Sequence, residues 1–131
     1  MLSEKKIYTL EEANALVPKL LSDVPVIQNL NRLLIEDFPD VENARQNAKL
    51  NGGSMQGGAY LGVAMRFSAM CQDLQSKGCI LKGIEQGLVD LYSIRDGREV
   101  FLCWKHPEKE IKHWHDIDTG FSGRQAIWAF T

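Results

Sequence analysis

The feature that most constrains the fold is a tight-turn signal between two alternating segments. Asp96 and Gly97 separate the runs Leu88–Ile94 and Glu99–Lys105, which have the alternating pattern of β-strands. Asp-Gly favours a two-residue hairpin turn, because both turn positions need a positive φ. Such a turn also determines the register, and it pairs Arg95 with Arg98, Ile94 with Glu99, Tyr92 with Phe101, Asp90 with Cys103, and Val89 with Trp104.

The predicted hairpin has an apolar face and a mixed face, and the apolar face is expected to pack on helices: it carries Val89, Leu91, Val100, Leu102 and Trp104. A third strand, Ile111–Ile117, follows in one of two registers. In the preferred register Cys103 faces His113, Trp114 joins the core, and His113 and His115 lie on the mixed face. In the alternative, one residue tighter, both histidines turn toward the helices. The first is preferred because the histidines then avoid dehydration against helices.

Before Gly78 the pattern is helical. Thr9 and Glu12 have the spacing of a capping box, which predicts that a helix begins here. The apolar residues that follow recur every three or four positions: Leu10, Ala13, Leu16, Val17, Leu20, Leu21, Val24, Ile27, Leu30, Leu33 and Leu34. Pro18 and Pro25 interrupt this stripe, so we expect a bend or a short break.

A second helical stretch is predicted from Val41 to about Lys77, and it is rich in glycine: Gly52, Gly53, Gly57, Gly58 and Gly62. Glycine costs about 1 kcal/mol relative to alanine inside a helix, so two explanations are open. If residues 51–62 are helical, the four-residue spacing forms a strip on which another helix can pack closely. If they are not, residues 51–54 form a loop between two shorter helices. A phosphate-binding loop is disfavoured, since neither a preceding strand nor a Gly-Lys-Ser/Thr ending is present.

Charge, hydropathy and cysteine content restrict the class of protein. The 131 residues carry 15 basic and 17 acidic side chains, which argues against nucleic-acid binding and against a polybasic membrane contact. The N-terminus lacks the apolar core of a signal peptide, and no uncharged run is long enough to span a bilayer. Three cysteines without paired spacing are expected to be reduced thiols. We therefore expect a cytoplasmic protein with a single domain over residues 1–131, helical in 8–78 and β in 79–131.

The mixed face of the predicted sheet brings together side chains that can carry chemistry. In the preferred register Asp90, Cys103, His113 and His115 converge. Carboxylate, thiolate and imidazole suit zinc or iron, so these four residues are a candidate site for a divalent metal. A purely structural role for the histidines is a second interpretation. An acid/base site is a third, in which His113 or His115 acts beside Asp90 or Asp116.

The segment 120–125 is a candidate anion site. Gly123 and Arg124 can present an amide and a guanidinium to an anion. The alternative is a tight turn in which Arg124 pairs with a carboxylate. The apolar tail that follows, Ala126–Phe130, is expected to cover the second sheet face or to contact another subunit.

Five segments carry a family resemblance: Tyr8–Pro18, Gly87–Asp90, Asp96–Trp104, His113–Asp116 and Gly120–Gln125. In this order they resemble the prokaryotic family of domain of unknown function 2203. The resemblance covers most of the chain but not its glycine-rich middle. It implies no activity, because the family is uncharacterised, yet its segments include the residues that the strand register brings together. His106 lies in a segment that departs from the family and is not counted as a site residue.

These features predict an α+β domain. We expect a bent hairpin of two long helices, a three-stranded antiparallel meander and a packed C-terminal tail. Exposed sheet edges and the glycine strip make a homodimer the expected state. Since no catalytic motif is present, a non-catalytic binding or interaction module is the leading functional hypothesis. The alternative is a metal-dependent or acid/base enzyme using Asp90, Cys103, His113, His115 and Arg124.

Overall fold

The structure, a computed structural model, describes residues 6–36 and 55–127. In these residues two helices precede five strands: α1 Leu10–Glu36, α2 Met55–Ser76, β1 Cys79–Gly83, β2 Leu88–Arg95, β3 Arg98–Lys105, β4 His113–Asp116 and β5 Gln125–Ala126. The strands form one antiparallel sheet in sequence order, and a short 3₁₀ turn, Phe121–Gly123, precedes β5. The α+β class is confirmed, whereas the predicted count of three strands is wrong.

The two strands that the sequence did not predict lie at the edges of the sheet. β1 follows α2 directly and pairs with β2, so that Ile80 lies opposite Asp90. It reads Cys-Ile-Leu-Lys-Gly, and its three successive apolar residues hide the alternation that identifies a strand. β5 pairs with β4, and its two residues are too few to show an alternating pattern.

The predicted hairpin is confirmed in every pair. Asp96 and Gly97 have φ values of 53° and 78°, and β2 and β3 pair in the expected register. For β4 the preferred register is confirmed, since Cys103 lies opposite His113 and Trp114 is buried opposite Leu102.

The third predicted strand is shorter than expected, because its ends make other hydrogen bonds. At one end, the Ile111 amide donates to Asn14 Oδ1 on α1 at 2.7 Å. At the other end, the Thr119 amide closes a turn on the Asp116 carbonyl at 3.2 Å.

α1 begins as predicted. The Glu12 amide donates to Thr9 Oγ1 at 3.0 Å, and the Thr9 amide donates to Glu12 Oε1 at 2.9 Å, which completes the capping box. The helix runs continuously through Pro18 and Pro25, so the predicted interruption takes at most the form of a bend. Its buried stripe packs on the apolar sheet face and forms the core: Ala13, Val17, Leu20, Val24 and Ile27 against Val89, Leu91, Val100, Leu102 and Trp104.

Part of the glycine-rich stretch is helical and belongs to α2. Residues 55–62 belong to the helix, while residues 51–54 lie outside the described residues. Around the Cβ positions of Gly58 and Gly62 there is open space within the described part of the chain, so no described element packs on this strip. The helix ends before Gly78, whose φ of 83° suits glycine.

α1 and α2 contact each other, and Lys19 Nζ lies 2.9 Å from Asp73 Oδ2. Residues 37–54, which would close a hairpin, are outside the described residues, and the hairpin stays a prediction. Of the predicted apolar tail, Ile127 packs against the core, and residues 128–130 are not described. None of the described helices combines the length and apolar character needed to cross a membrane.

Candidate functional site

Three buried side chains meet on the sheet face opposite the helices. Asp90 on β2, Cys103 on β3 and His115 on β4 are exposed by only 3%, 1% and 2%. Their potential ligand atoms all lie within 4.8 Å of one another. Asp90 lies directly opposite Cys103, while His115 lies opposite Phe101 and reaches the other two diagonally. The structure thus brings together three of the four predicted metal-site residues, and we call them the triad.

The hydrogen bonds of His115 define how its ring is used. Nδ1 lies 2.8 Å from the backbone carbonyl of Asp116, and Nε2 lies 3.0 Å from Asp90 Oδ2. A carbonyl only accepts hydrogen bonds, so Nδ1 carries a hydrogen. Nε2 and a carboxylate oxygen at this distance also need a proton between them, because two acceptors would repel each other. Asp90 and His115 therefore share a proton.

Burial raises the pKa of the other two members of the triad, Cys103 and Asp90. It raises the pKa of Cys103 to about 12, and the neighbouring charge of Asp90 acts in the same direction. It also raises the pKa of Asp90, against the opposing effect of His115. The Cys103 thiol donates a hydrogen bond to the Asp90 carboxylate. At neutral pH Cys103 is a thiol, which is a poor nucleophile, and the triad holds two protons that a cation can replace.

A pocket of about 240 Å³ opens over the triad, and it is lined by Lys82, Leu88, Asp90, Phe101, Cys103, His115, Ile117, Gly120 and Phe121. Its walls combine apolar side chains with polar atoms. The ammonium of Lys82 lies 5.0 Å from the centroid of the Phe101 ring, and its charge acts on Asp90 at the pocket floor. The pocket therefore combines a polar floor with aromatic and aliphatic side chains in its walls, and the Lys82 ammonium lies among its described lining residues.

His113 shares the strand face of His115 but does not join the triad. Its Nδ1 contacts the Arg124 guanidinium and lies 3.7 Å from Glu108 Oε2. Arg124 Nη2 is also 3.5 Å from Glu108 Oε2. Burial and then the charge of Arg124 lower the pKa of His113. The two predicted histidines thus lie in two separate polar groups, one around Asp90 and one around Glu108.

The remaining predicted residues are engaged elsewhere. The amides of Gly123 and Arg124 donate to carbonyls within the 3₁₀ turn, at 3.0 and 3.1 Å. The Arg124 guanidinium stacks on Phe121, 4.6 Å from its centroid, besides its contact with Glu108. An anion role for Gly123 and Arg124 stays a prediction that these contacts do not favour. The Asp116 carboxylate pairs with Arg98 at 2.8 Å, and Asp116 serves the triad through its backbone carbonyl.

Sequence reasoning missed two residues beside the site. Glu108 lies in the loop between β3 and β4, where no periodic pattern indicates its direction. Lys82 lies on β1, the strand that the sequence did not predict. Lys82 lies where the β1–β2 register shifts between Leu81 and Gly83, so strand alternation does not assign its direction, and the structure places it in the lining of the pocket over the triad.

A family model described as "Uncharacterized conserved protein (DUF2203)" matches residues 6–127. The match spans all the described strands, both described helices and the triad. No curated protein and no solved structure matches the chain.

Proposed function

The chain belongs to the DUF2203 family of uncharacterised conserved proteins, and we propose that it is a metal-binding protein that holds zinc between Asp90, Cys103 and His115. The observation that carries this proposal is the convergence of a carboxylate, a thiol and an imidazole in one buried place. These are the ligand types of zinc sites, and three protein ligands with one open position are typical of zinc sites that bind a further molecule.

The distances suit a small ion. Zinc bonds of about 2.0–2.3 Å in tetrahedral geometry keep ligand atoms roughly 3.4–3.6 Å apart. The nitrogen–oxygen pair of His115 and Asp90 is at 3.0 Å, and no pair of ligand atoms in the triad exceeds 4.8 Å. The ligands need to shift by about 1 Å at most to reach this geometry. A hydrogen bond from the second imidazole nitrogen to a carbonyl, as His115 makes, is the usual support of a metal-bound histidine.

The net charge of the triad supports binding of a divalent cation. Without metal, the triad consists of one carboxylate, one imidazole that shares a proton with it, and one neutral thiol, so its net charge is zero. A divalent ion that replaces both protons meets a carboxylate, a thiolate and a neutral imidazole, and the net charge is again zero. Since unbalanced charge in a buried place is costly, this exchange avoids the main penalty of loading the site.

An acid/base enzyme is supported less well. Both ring nitrogens of His115 are already hydrogen-bonded, and the pKa of Cys103 is about 12. Neither group is ready to exchange a proton with a substrate. We therefore propose binding rather than acid/base catalysis.

The homodimer is a separate proposal. Leu61 and Met65 lie one turn apart on α2 and are 57% and 64% exposed, which supports a contact surface for a second copy. Light scattering that gives a mass near 14.8 kDa at micromolar concentration would contradict it.

The test of the metal proposal uses protein without a histidine tag, stripped with a chelator and then titrated with Zn²⁺ and Co²⁺. We expect one equivalent of metal per chain and, with Co²⁺, a thiolate charge-transfer absorption together with visible bands of four-coordinate intensity. Cys103→Ala should abolish the thiolate band. The matched control is Cys79→Ala, since Cys79 is also buried but lies on the core face of β1.

Asp90→Asn provides a second variant that keeps a hydrogen bond to His115. It should weaken zinc binding by at least about tenfold, because loss of a metal ligand costs more than the 10- to 100-fold effect of an outer-shell change. Circular dichroism checks that each variant is folded. If the folded wild-type protein binds no stoichiometric metal, or if Cys103→Ala retains the thiolate band, the proposal is wrong.

A further inference from the structure

We infer that the pocket over the triad takes a small monocarboxylate with an apolar body, whose carboxylate group binds the open position of the metal and pairs with Lys82. This inference rests on the proposed metal site. Asp90, Cys103 and His115 all line the pocket, so an ion held by them has its fourth position on the pocket side. What enters the pocket is therefore also what completes the coordination of the metal.

The charge of the loaded pocket selects an anion. Lys82 is the cation among the described lining residues, and no carboxylate in the described part of the chain forms an ion pair with it. The lining carboxylate, Asp90, is used as a metal ligand. The loaded triad is neutral, so the pocket carries the single positive charge of Lys82, and a monoanion balances it.

The same balance argues against a doubly charged ligand such as phosphate, which would leave a negative charge in the pocket. Two other cations lie over the Phe121 ring: Arg124 is already in contact with Glu108 and His113, and Lys105 is exposed, so that solvent screens its charge. A carboxylate also matches the site chemically, because it can place one oxygen on the metal and the other near an ammonium.

Size and wall chemistry define the rest of the ligand. The pocket volume of about 240 Å³ equals roughly eight water molecules at about 30 Å³ each, below the range of drug-sized sites. Phe101 and Phe121 form aromatic walls, and Leu88 and Ile117 add aliphatic surface. An aromatic or branched aliphatic acid of about ten non-hydrogen atoms is therefore the class that fits.

The test titrates benzoate, benzamide and inorganic phosphate into zinc-loaded wild-type protein by calorimetry, and into the Co²⁺ form with the visible spectrum as readout. Benzoate should bind saturably and change the cobalt bands, because it enters the coordination sphere. Benzamide has the same shape without the charge, so it should bind at least about tenfold more weakly. Phosphate should also bind more weakly than benzoate.

Lys82→Met removes the charge and keeps the length of the side chain. It should weaken benzoate binding about fivefold, as expected for a partly exposed ion pair. Zinc affinity should not fall, because the change removes a positive charge that acts on the ligand Asp90. Lys109→Met, an exposed loop lysine outside the pocket lining, is the matched control and should bind benzoate like the wild type.

The outcomes separate the two proposals. If zinc binds but benzoate does not, the ligand inference is wrong and the metal site stands. If zinc does not bind, both are wrong. Benzoate binding that is equally strong without metal, or phosphate binding that is stronger than benzoate binding, also overturns the inference.

Discussion

Replacing Asp90 by alanine and by asparagine should give two different stabilities in metal-free protein. In Asp90→Ala, His115 Nε2 loses its partner although the residue is only 2% exposed, and the Cys103 thiol loses its acceptor. An unpartnered buried polar group costs about 1–3 kcal/mol, and the adjacent pocket limits the cavity cost, so we expect a loss of about 2–3 kcal/mol.

In Asp90→Asn, the amide NH₂ can donate to Nε2 of a neutral imidazole, whose Nδ1 still donates to the Asp116 carbonyl. The buried hydrogen bond is kept, so the expected loss is within about 1 kcal/mol. Urea denaturation with a chelator present measures both variants at neutral pH. Asp116→Asn is the control, since its carboxylate forms an exposed pair with Arg98 and should matter by less than about 1 kcal/mol.

The reasoning fails if alanine and asparagine at position 90 cost the same. It also fails if asparagine costs about 3–5 kcal/mol, because a buried ion pair rather than a shared hydrogen bond would then stabilise the fold. The slope of the free energy of unfolding against urea concentration should be equal in all variants, which excludes a change in the unfolded state as the cause.

Three further predictions follow from the same structure. Release of the Cys103 proton should raise the affinity for zinc by about a factor of ten per pH unit, because a pKa of about 12 keeps the thiol protonated at neutral pH, and release of the proton shared by Asp90 and His115 adds to this slope. Competition titrations at several pH values measure the slope, and a slope below about tenfold per pH unit contradicts the prediction. Arg124→Met should raise the pKa of His113, because it removes a nearby positive charge while Glu108 remains. An NMR titration of the His113 ring protons measures this pKa. An unchanged value would mean that burial alone lowers the pKa of His113. Gly97→Ala should destabilise the protein by about 1–2 kcal/mol, because Gly97 has a φ of 78°. Gly58→Ala should stabilise the protein by up to about 1 kcal/mol, because Gly58 lies in α2 with open space around its Cβ position. Denaturation curves of the two variants that shift in the same direction would contradict this prediction.

The sequence predicts the part of the sheet that depends on local chemistry. Asp96 and Gly97 determine both the turn and the pairing of β2 with β3, because few other residue pairs adopt two positive φ values. The register of β4 is expected because it keeps both histidines away from the helices, and the pairing is confirmed, although His115 is buried on the mixed face all the same. β1 and β5 are absent from the prediction because they are held by pairing with longer strands, and their own residues carry no alternation.

The sequence predicts on which face of the sheet the candidate site lies. Strand alternation assigns Asp90, Cys103, His113 and His115 to one face, and the structure agrees with that assignment. Alternation does not say which of the two histidines approaches Asp90. That choice depends on the loop that carries Glu108 and on the 3₁₀ turn before Arg124, which together hold His113.

The approach of His115 to Asp90 also depends on the small residue between them. Their strands flank β3, so the two backbones are about 10 Å apart, twice the usual strand spacing. The side-chain atoms are nevertheless 3.0 Å apart, because the imidazole reaches diagonally across the sheet. Cys103 on β3 is short enough to leave this space open, and its sulfur is then within reach of both partners. β3 therefore contributes the ligand Cys103 and also permits the contact between Asp90 and His115. This explains why the site spans three strands, although the residue directly opposite Cys103 on β4 is His113 and not His115.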